Sequence, residues 1–325
     1  MQFQSNKGYT PVGQLGMLLL FTGLGFIAAG LIQAVMLMPL LLKDGLPSSE
    51  QMRLILEDPA HTTLIRWMQA ISTFFLFCVP AILFSLICNG KKMFWLGFNK
   101  HLNIFQVMIG FAIMFIANIT AGSLQTFSEK IVSYAPDLSA LANQMEGMYS
   151  DQVKAISHFS SPIDFTISLV IMAFLPALFE ELFFRGALQQ VLVKWLKHPI
   201  VGIIITSLVF SLIHSSIHLF LSRALLGFVL GLIFYYTKNI WVNIIAHFLN
   251  NAVALIQLYY LQQTNKDVDI SKMDMQVSSW ISLLGLFAIF GLFKLLKKHS
   301  ENNKLSIYAR EQALLVNEPI GQPLA

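Results

Sequence analysis

The sequence predicts an all-α fold: a polytopic membrane protein, a bundle of about eight transmembrane helices. Three observations predict it. Of 325 residues, 56% are hydrophobic and 12% are charged, against about 25% charged in a soluble domain. Mean hydropathy is +0.66. Apolar runs of about 20 residues, the length that crosses a hydrocarbon core of roughly 30 Å, recur along the chain. No soluble domain of useful size fits between them. The net charge of +4 is small and reads as lysines at one membrane surface, not as a nucleic-acid footprint. Cys78 and Cys88 give no disulfide framework and no CxxC site.

In chain order the expected spans are 13–42, 64–88, 104–124, 163–192, 200–217, 219–237, 240–261 and 279–296. The first apolar run, 17–42, exceeds the h-region of a signal peptide, and no A-x-A-like site follows it. It is expected to stay as a span. Between the fifth and sixth, the stretch from His214 to Arg223 reads as a tight turn or a broken helix. The expected organisation is three N-terminal spans (1–124), an outer connector (125–162), four spans carrying the chemistry (163–261), a last span (262–298) and a tail (299–325). The connector carries Leu138, Leu141, Met145 and Met148 at helical spacing, which fits a short interfacial helix. The tail is polar and mixed in charge and is expected to be loosely ordered.

Loop charges set the orientation. Lys91, Lys92, Lys100, Lys194, Lys197, Lys238, Lys294, Lys297, Lys298 and Lys304 fall in alternate connections or close the last span. Acids fill the others: Asp44, Glu50, Glu57, Asp58, then Glu129, Asp137, Glu146, Asp151, then Asp267, Asp269, Asp274. Lysine marks the cytoplasmic side. Both termini are therefore expected in the cytoplasm, at a bacterial inner membrane.

The fourth span contains Glu180-Glu181-Leu182-Phe183-Phe184-Arg185. Each charge costs roughly 2.5–3.5 kcal/mol at the middle of a spanning helix. Glu181 and Arg185, four apart, can pair locally. Glu180 points about 100° away, beside Ala173 and Ala177. Pro176, lacking an N–H, is expected to bend this helix. A structural ion pair with a stray Glu is the plainer explanation; in a membrane the functional one is stronger.

Other spans supply partners. Ser207, Phe210, Ser211, His214 and His218 share one face of the fifth. Asn243, His247 and Asn251 share one face of the seventh. Unpaired polar groups are costly in lipid, although polar side chains also serve as glue between helices. Depths overlap: Glu180 lies about 21 Å from Lys194, or about 8 Å from the interface if Arg185 snorkels to it. His214 lies about 21 Å from Ile200, and His247 and Asn251 about 11 and 17 Å from Ile240.

A carboxylate and imidazoles in a membrane cavity suit the activation of water. Glu180 can be the general base. His214 can hold the water or the leaving amine, and Asn251 can donate to an oxyanion. His247 can do the same or orient Asn251. Glu180, His214 and His247 also match a catalytic zinc with an open position. No H-E-x-x-H, G-x-S-x-G or Walker motif is present, and nothing polar completes a triad with Ser211.

Glu180-Glu181-x-x-x-Arg185, Phe210-x-x-x-His214 and His247-x-x-x-Asn251, in this order on three late spans, resemble the signature of the CAAX protease and bacteriocin-processing (CPBP, or Abi) family, which includes the type II CAAX prenyl endopeptidases. The resemblance covers about 163–261. It implies a bundle of about eight helices around a conical cavity in the membrane, and hydrolysis of a peptide bond in a membrane-associated peptide or protein. It also implies Glu180 and His214 on the water, His247 and Asn251 at the oxyanion, and Glu181 and Arg185 in support. Both metal-dependent and glutamate-dependent mechanisms have been described for the family, so zinc stays open. The competing class is a scaffold, immunity protein or proton-coupled transporter using the polar core, although no repeat of two halves supports a transporter. Gly227-x-x-x-Gly231 reads as close helix packing.

Overall fold

The computed structural model describes residues 7–41, 48, 52, 54–55, 58–264 and 278–317. Asp44, Glu50, Glu57, Asp267, Asp269 and Asp274, and the tail beyond 317, lie outside the described residues. Among the described residues there are nine long helices and no strand. They are α1 (Pro11–Leu41), α2 (Pro59–Cys88), α3 (Ile104–Ser133), α4 (Pro136–Ile156), α5 (Pro162–Leu196), α6 (Pro199–Leu212), α7 (Phe220–Thr237), α8 (Ile240–Thr264) and α9 (Ser279–Asn317). Seven are long and apolar enough to cross a membrane; α6 is a shorter apolar helix and α4 is not apolar enough. The chain is a multi-pass integral membrane protein.

Local signals explain the ends. Asn103 caps α3 by accepting from the Phe105 N–H at 2.9 Å, and Ser161 caps α5 by accepting from Asp164 at 3.1 Å. Proline opens α1, α4, α5 and α6, where its missing N–H costs nothing. α5 contains π-helical turns at Leu169–Phe174 and Leu182–Leu188. Pro176 sits just after the first.

Three sequence expectations change. The fifth span stops at Leu212, not 217. The chain turns there: Ser215 has φ +50°, Ser211 Oγ donates to the Phe220 carbonyl at 2.5 Å, and Arg223 donates to the His214 carbonyl at 2.9 Å. His218 therefore leaves the face it was expected to share with His214. The outer connector is a full 21-residue helix, α4, with Leu138, Leu141 and Met148 exposed. The last helix continues through the expected tail to Asn317, a length of about 58 Å for its 39 residues. Packing explains the difference. Gln106 of α3 donates to Ser300 Oγ at 3.0 Å, the Arg310 guanidinium lies over the Phe94 ring, and Ile307 joins a core with Trp95 and Phe234.

The lysine-rich connections meet at one end of the bundle. Gly97, at φ +95°, lies where a Cβ would strike the Phe234 ring, and its carbonyl accepts from the Ile240 N–H. Asn99 donates to the Lys238 carbonyl at 2.8 Å. Lys238 itself is buried, and burial pushes its pKa down to about 8. It is therefore a weaker surface marker than Lys91, Lys92 and Lys197, which are exposed. At the acid-rich end, Arg66 of α2 pins the join of α4 and α5. It donates to the Ile156 and His158 carbonyls at 2.8 Å each and to Asp164 at 2.6 Å.

Candidate active site

The polar groups lie between these two ends, where α5 crosses α7 and α8. Glu181 and Arg185 are fully buried and Glu180 is 8% exposed. The expected local pair forms: Arg185 donates to Glu181 Oε1 at 2.7 Å. The π-helical turn that holds Arg185 does not disrupt it.

Glu181 does more than neutralise an arginine. The same Oε1 accepts from His247 Nδ1 at 2.9 Å, and Oε2 accepts from Asn243 Nδ2 at 3.2 Å. Asn243 also donates to the Leu230 carbonyl at 2.7 Å, and Arg185 donates to the Gly227 carbonyl at 3.0 Å. One carboxylate thus ties α5 to α7 and α8. With Nδ1–H donating to a carboxylate, neutral His247 presents the lone pair of Nε2 on its other side. That nitrogen faces Glu180 Oε2 at 3.9 Å, beyond direct hydrogen-bond range.

His214 stands on the turn after α6. Its Nδ1 lies 2.7 Å from the Phe210 carbonyl. A carbonyl only accepts, so Nδ1 carries the proton and Nε2 is the acceptor. Phe210 is the shared wall. Its ring centroid lies 4.7 Å from that of His214 and 6.2 Å from that of His247, and the Arg185 guanidinium lies 5.0 Å from it. Asn251 follows His247 by one turn of α8. It is half-buried and makes no hydrogen bond among the described residues.

The structure therefore joins Glu181, Arg185 and His247 by direct hydrogen bonds, sets Glu180 3.9 Å from His247, and brings His214 in through Phe210. Asn251 is linked only by sharing a face with His247. Ser207 and Ser211, expected on the polar face of the fifth span, are satisfied by the carbonyls of Ile203 and Phe220. His218 contacts Asn143 of α4.

Two partners were not legible as such. Gln189 donates to the Gly231 carbonyl at 3.1 Å, and the Gly227 carbonyl serves Arg185. The Gly-x-x-x-Gly spacing was the signal. A Cβ on Gly227 would come 3.1 Å from the Phe210 ring, and one on Gly231 would meet Ile203 and Gln189. The bare backbone lets α5 side chains reach α7 carbonyls.

Zinc on Glu180, His214 and His247 was one expectation. No group of three His, Cys, Asp or Glu residues spaced to hold a metal ion occurs among the described residues. His247 Nδ1 and His214 Nδ1 are engaged by Glu181 and the Phe210 carbonyl, which leaves each Nε2 as the atom that would face a metal.

Residues 162–253 match the family model described as type II CAAX prenyl endopeptidase Rce1-like. This segment is similar to the CAAX protease family. It runs from the first turn of α5 into α8 and contains all seven motif residues. Helices α1 to α4 and α9 lie outside the match. No curated protein and no solved structure matches the chain.

Proposed function

We propose that the chain is an intramembrane endopeptidase that hydrolyses a peptide bond in a membrane-associated peptide or protein. The observation that carries this reading is the division of labour between adjacent carboxylates. Glu181 is saturated by Arg185, His247 and Asn243. Among the described residues Glu180 makes no such bonds, and it faces a histidine nitrogen at 3.9 Å. A water that donates one hydrogen to Glu180 has room in that gap.

The chemistry follows from the acceptors. Glu180 takes a proton from the water, and His214 Nε2 accepts the water's other hydrogen and holds it in place. The water oxygen attacks the carbonyl carbon. The amide of Asn251, free of other partners, donates to the oxyanion that develops. Glu180 then returns its proton to the amine as the C–N bond breaks. Arg185 and Asn243 keep Glu181, and through it His247, in register. No step is assigned to a metal.

The lysine-rich end is the cytoplasmic side in this reading, with both termini there, in a bacterial inner membrane. Reporter fusions after Lys100 and at Ala325 then read cytoplasmic and one after Met145 external. A cytoplasmic signal at Met145 reverses the orientation.

The central test uses purified protein in lipid with a mixed peptide library. Wild type should cut, and adding a chelator reports whether a metal takes part. Glu180→Ala should remove the cleavage, and adding His214→Ala should change little more, because residues that act as a unit are not additive. Asn251→Ala should lower turnover by about 10²–10³ with binding kept. Cleavage that survives Glu180→Ala overturns the assignment. A wild type that cuts nothing points to the scaffold or transporter class.

A further inference from the structure

His214 is the one site residue not on a helix, so something must hold its turn in place. The hydrogen bond of its own side chain, to the Phe210 carbonyl, fixes the ring but not the main chain. The main chain is held by Arg223, which donates to the His214 carbonyl at 2.9 Å from the first turn of α7. The same guanidinium lies 4.7 Å over the ring of Tyr149, on α4.

Helix α4 touches this turn at two further points. Ser216 Oγ donates to Glu146 Oε2 at 2.9 Å, and His218 Nε2 lies 3.2 Å from Asn143 Oδ1. Between them the packing is open. A cavity of about 240 Å³ lies behind the turn, walled by Met145, Leu212, Ser215, Ile217 and Phe220 among others. The C-terminal end of α4 is anchored through Arg66. The helix is thus fixed at one end and fastened to the turn by a few polar contacts beside a half-open groove. Segments held by few buried apolar contacts open at low cost.

We propose that Arg223 is a positioning residue for His214 and that α4 is the strap that holds Arg223 there. The Tyr149 face keeps the guanidinium on the His214 carbonyl; when α4 lifts, Arg223 and the His214 turn move together. The inference rests on His214 as the residue that holds the water. The plainer role for Arg223 is a cap for the last carbonyls of α6. The two separate in what is lost: a cap supports the fold, whereas a positioning residue sets turnover.

The test uses the full chain in lipid and the best-cut peptide from the library. Arg223→Ala should lower kcat by about 10²-fold, as a misplacement near 1 Å does, with KM and melting temperature unchanged. Arg223→Lys should restore much of the turnover, since an ammonium can still donate to the carbonyl. Tyr149→Phe keeps the ring and should retain the turnover that Tyr149→Ala loses. Unchanged kcat in Arg223→Ala, or a loss that tracks melting temperature and is not rescued by lysine, overturns the proposal. A second readout needs no activity. Cysteines in place of Glu180 and His214 report the position of the turn by cross-linking in membranes, and Arg223→Ala should lower their yield. If the wild type cuts no peptide but this yield still depends on Arg223, positioning stands and the endopeptidase reading fails. A yield unaffected by Arg223→Ala removes the positioning role.

Discussion

Two arginine–carboxylate pairs among the described residues are built differently. Arg66 and Asp164 join α2 to α5 near the acid-rich end. Arg66 also takes the Ile156 and His158 carbonyls, and Asp164 also accepts from Ser160. Arg185 and Glu181 lie one turn apart on a single helix, both fully buried. There the carboxylate is the shared member, accepting from His247 and Asn243 as well, while Arg185 Nε has no partner. The first pair fastens three pieces of chain and satisfies itself doing so. The second leaves a buried donor unmet, which costs about 1–3 kcal/mol, and in exchange orients a histidine toward a second carboxylate. An arrangement that tolerates an unmet donor to aim a neighbour is expected of a site, not of a clamp.

The sharpest way to break the comparison is to neutralise each glutamate. Glu181→Gln leaves Arg185 uncompensated and should destabilise by about 3–5 kcal/mol, along with loss of peptide cleavage. Glu180→Gln should lose cleavage equally but melt close to wild type. Equal melting temperatures for the two variants would show that Glu181 is not the hub. Next in size is Arg66→Ala. It removes bonds to a partly exposed carboxylate and two carbonyls and should cost about 1.5–3 kcal/mol. Turnover per folded molecule should be retained; a selective loss of kcat would place this clamp in the site after all.

Gly231→Ala sharpens the comparison from the α7 side. Its Cβ would press on Ile203 and Gln189, and overpacking typically costs about 1–3 kcal/mol. Because Gln189 reaches α7 beside Arg185, a fall in turnover should accompany the lower melting temperature. The smallest effect belongs to a polar contact outside both pairs. Asn118 donates to Asn250 at 3.1 Å, and a bond of this kind between membrane helices averages about 0.6 kcal/mol. Asn118→Leu should shift melting only slightly and leave cleavage intact. A large activity loss would extend the site to α3.

What the sequence by itself determined follows from the bilayer. Lipid makes hydropathy decisive, so seven of the spans were readable, and helical geometry made the Glu181–Arg185 pair readable as a four-residue step. The same geometry marked Gly227 and Gly231 as a close approach. Errors arose where a helix end or a partner depends on distant chain. Span five was carried past Leu212 because Ile213 and Ile217 are apolar, yet Ser211, Phe220 and Arg223 draw the chain into a turn. The tail looked like solvated chain by composition, yet Ile307, Ser300 and Gln106 bury it as helix. Only the tertiary structure decided that His247 belongs to Glu181 and that Arg223 holds His214. Such choices depend on the rotation and depth of one helix against another, and no local spacing encodes either.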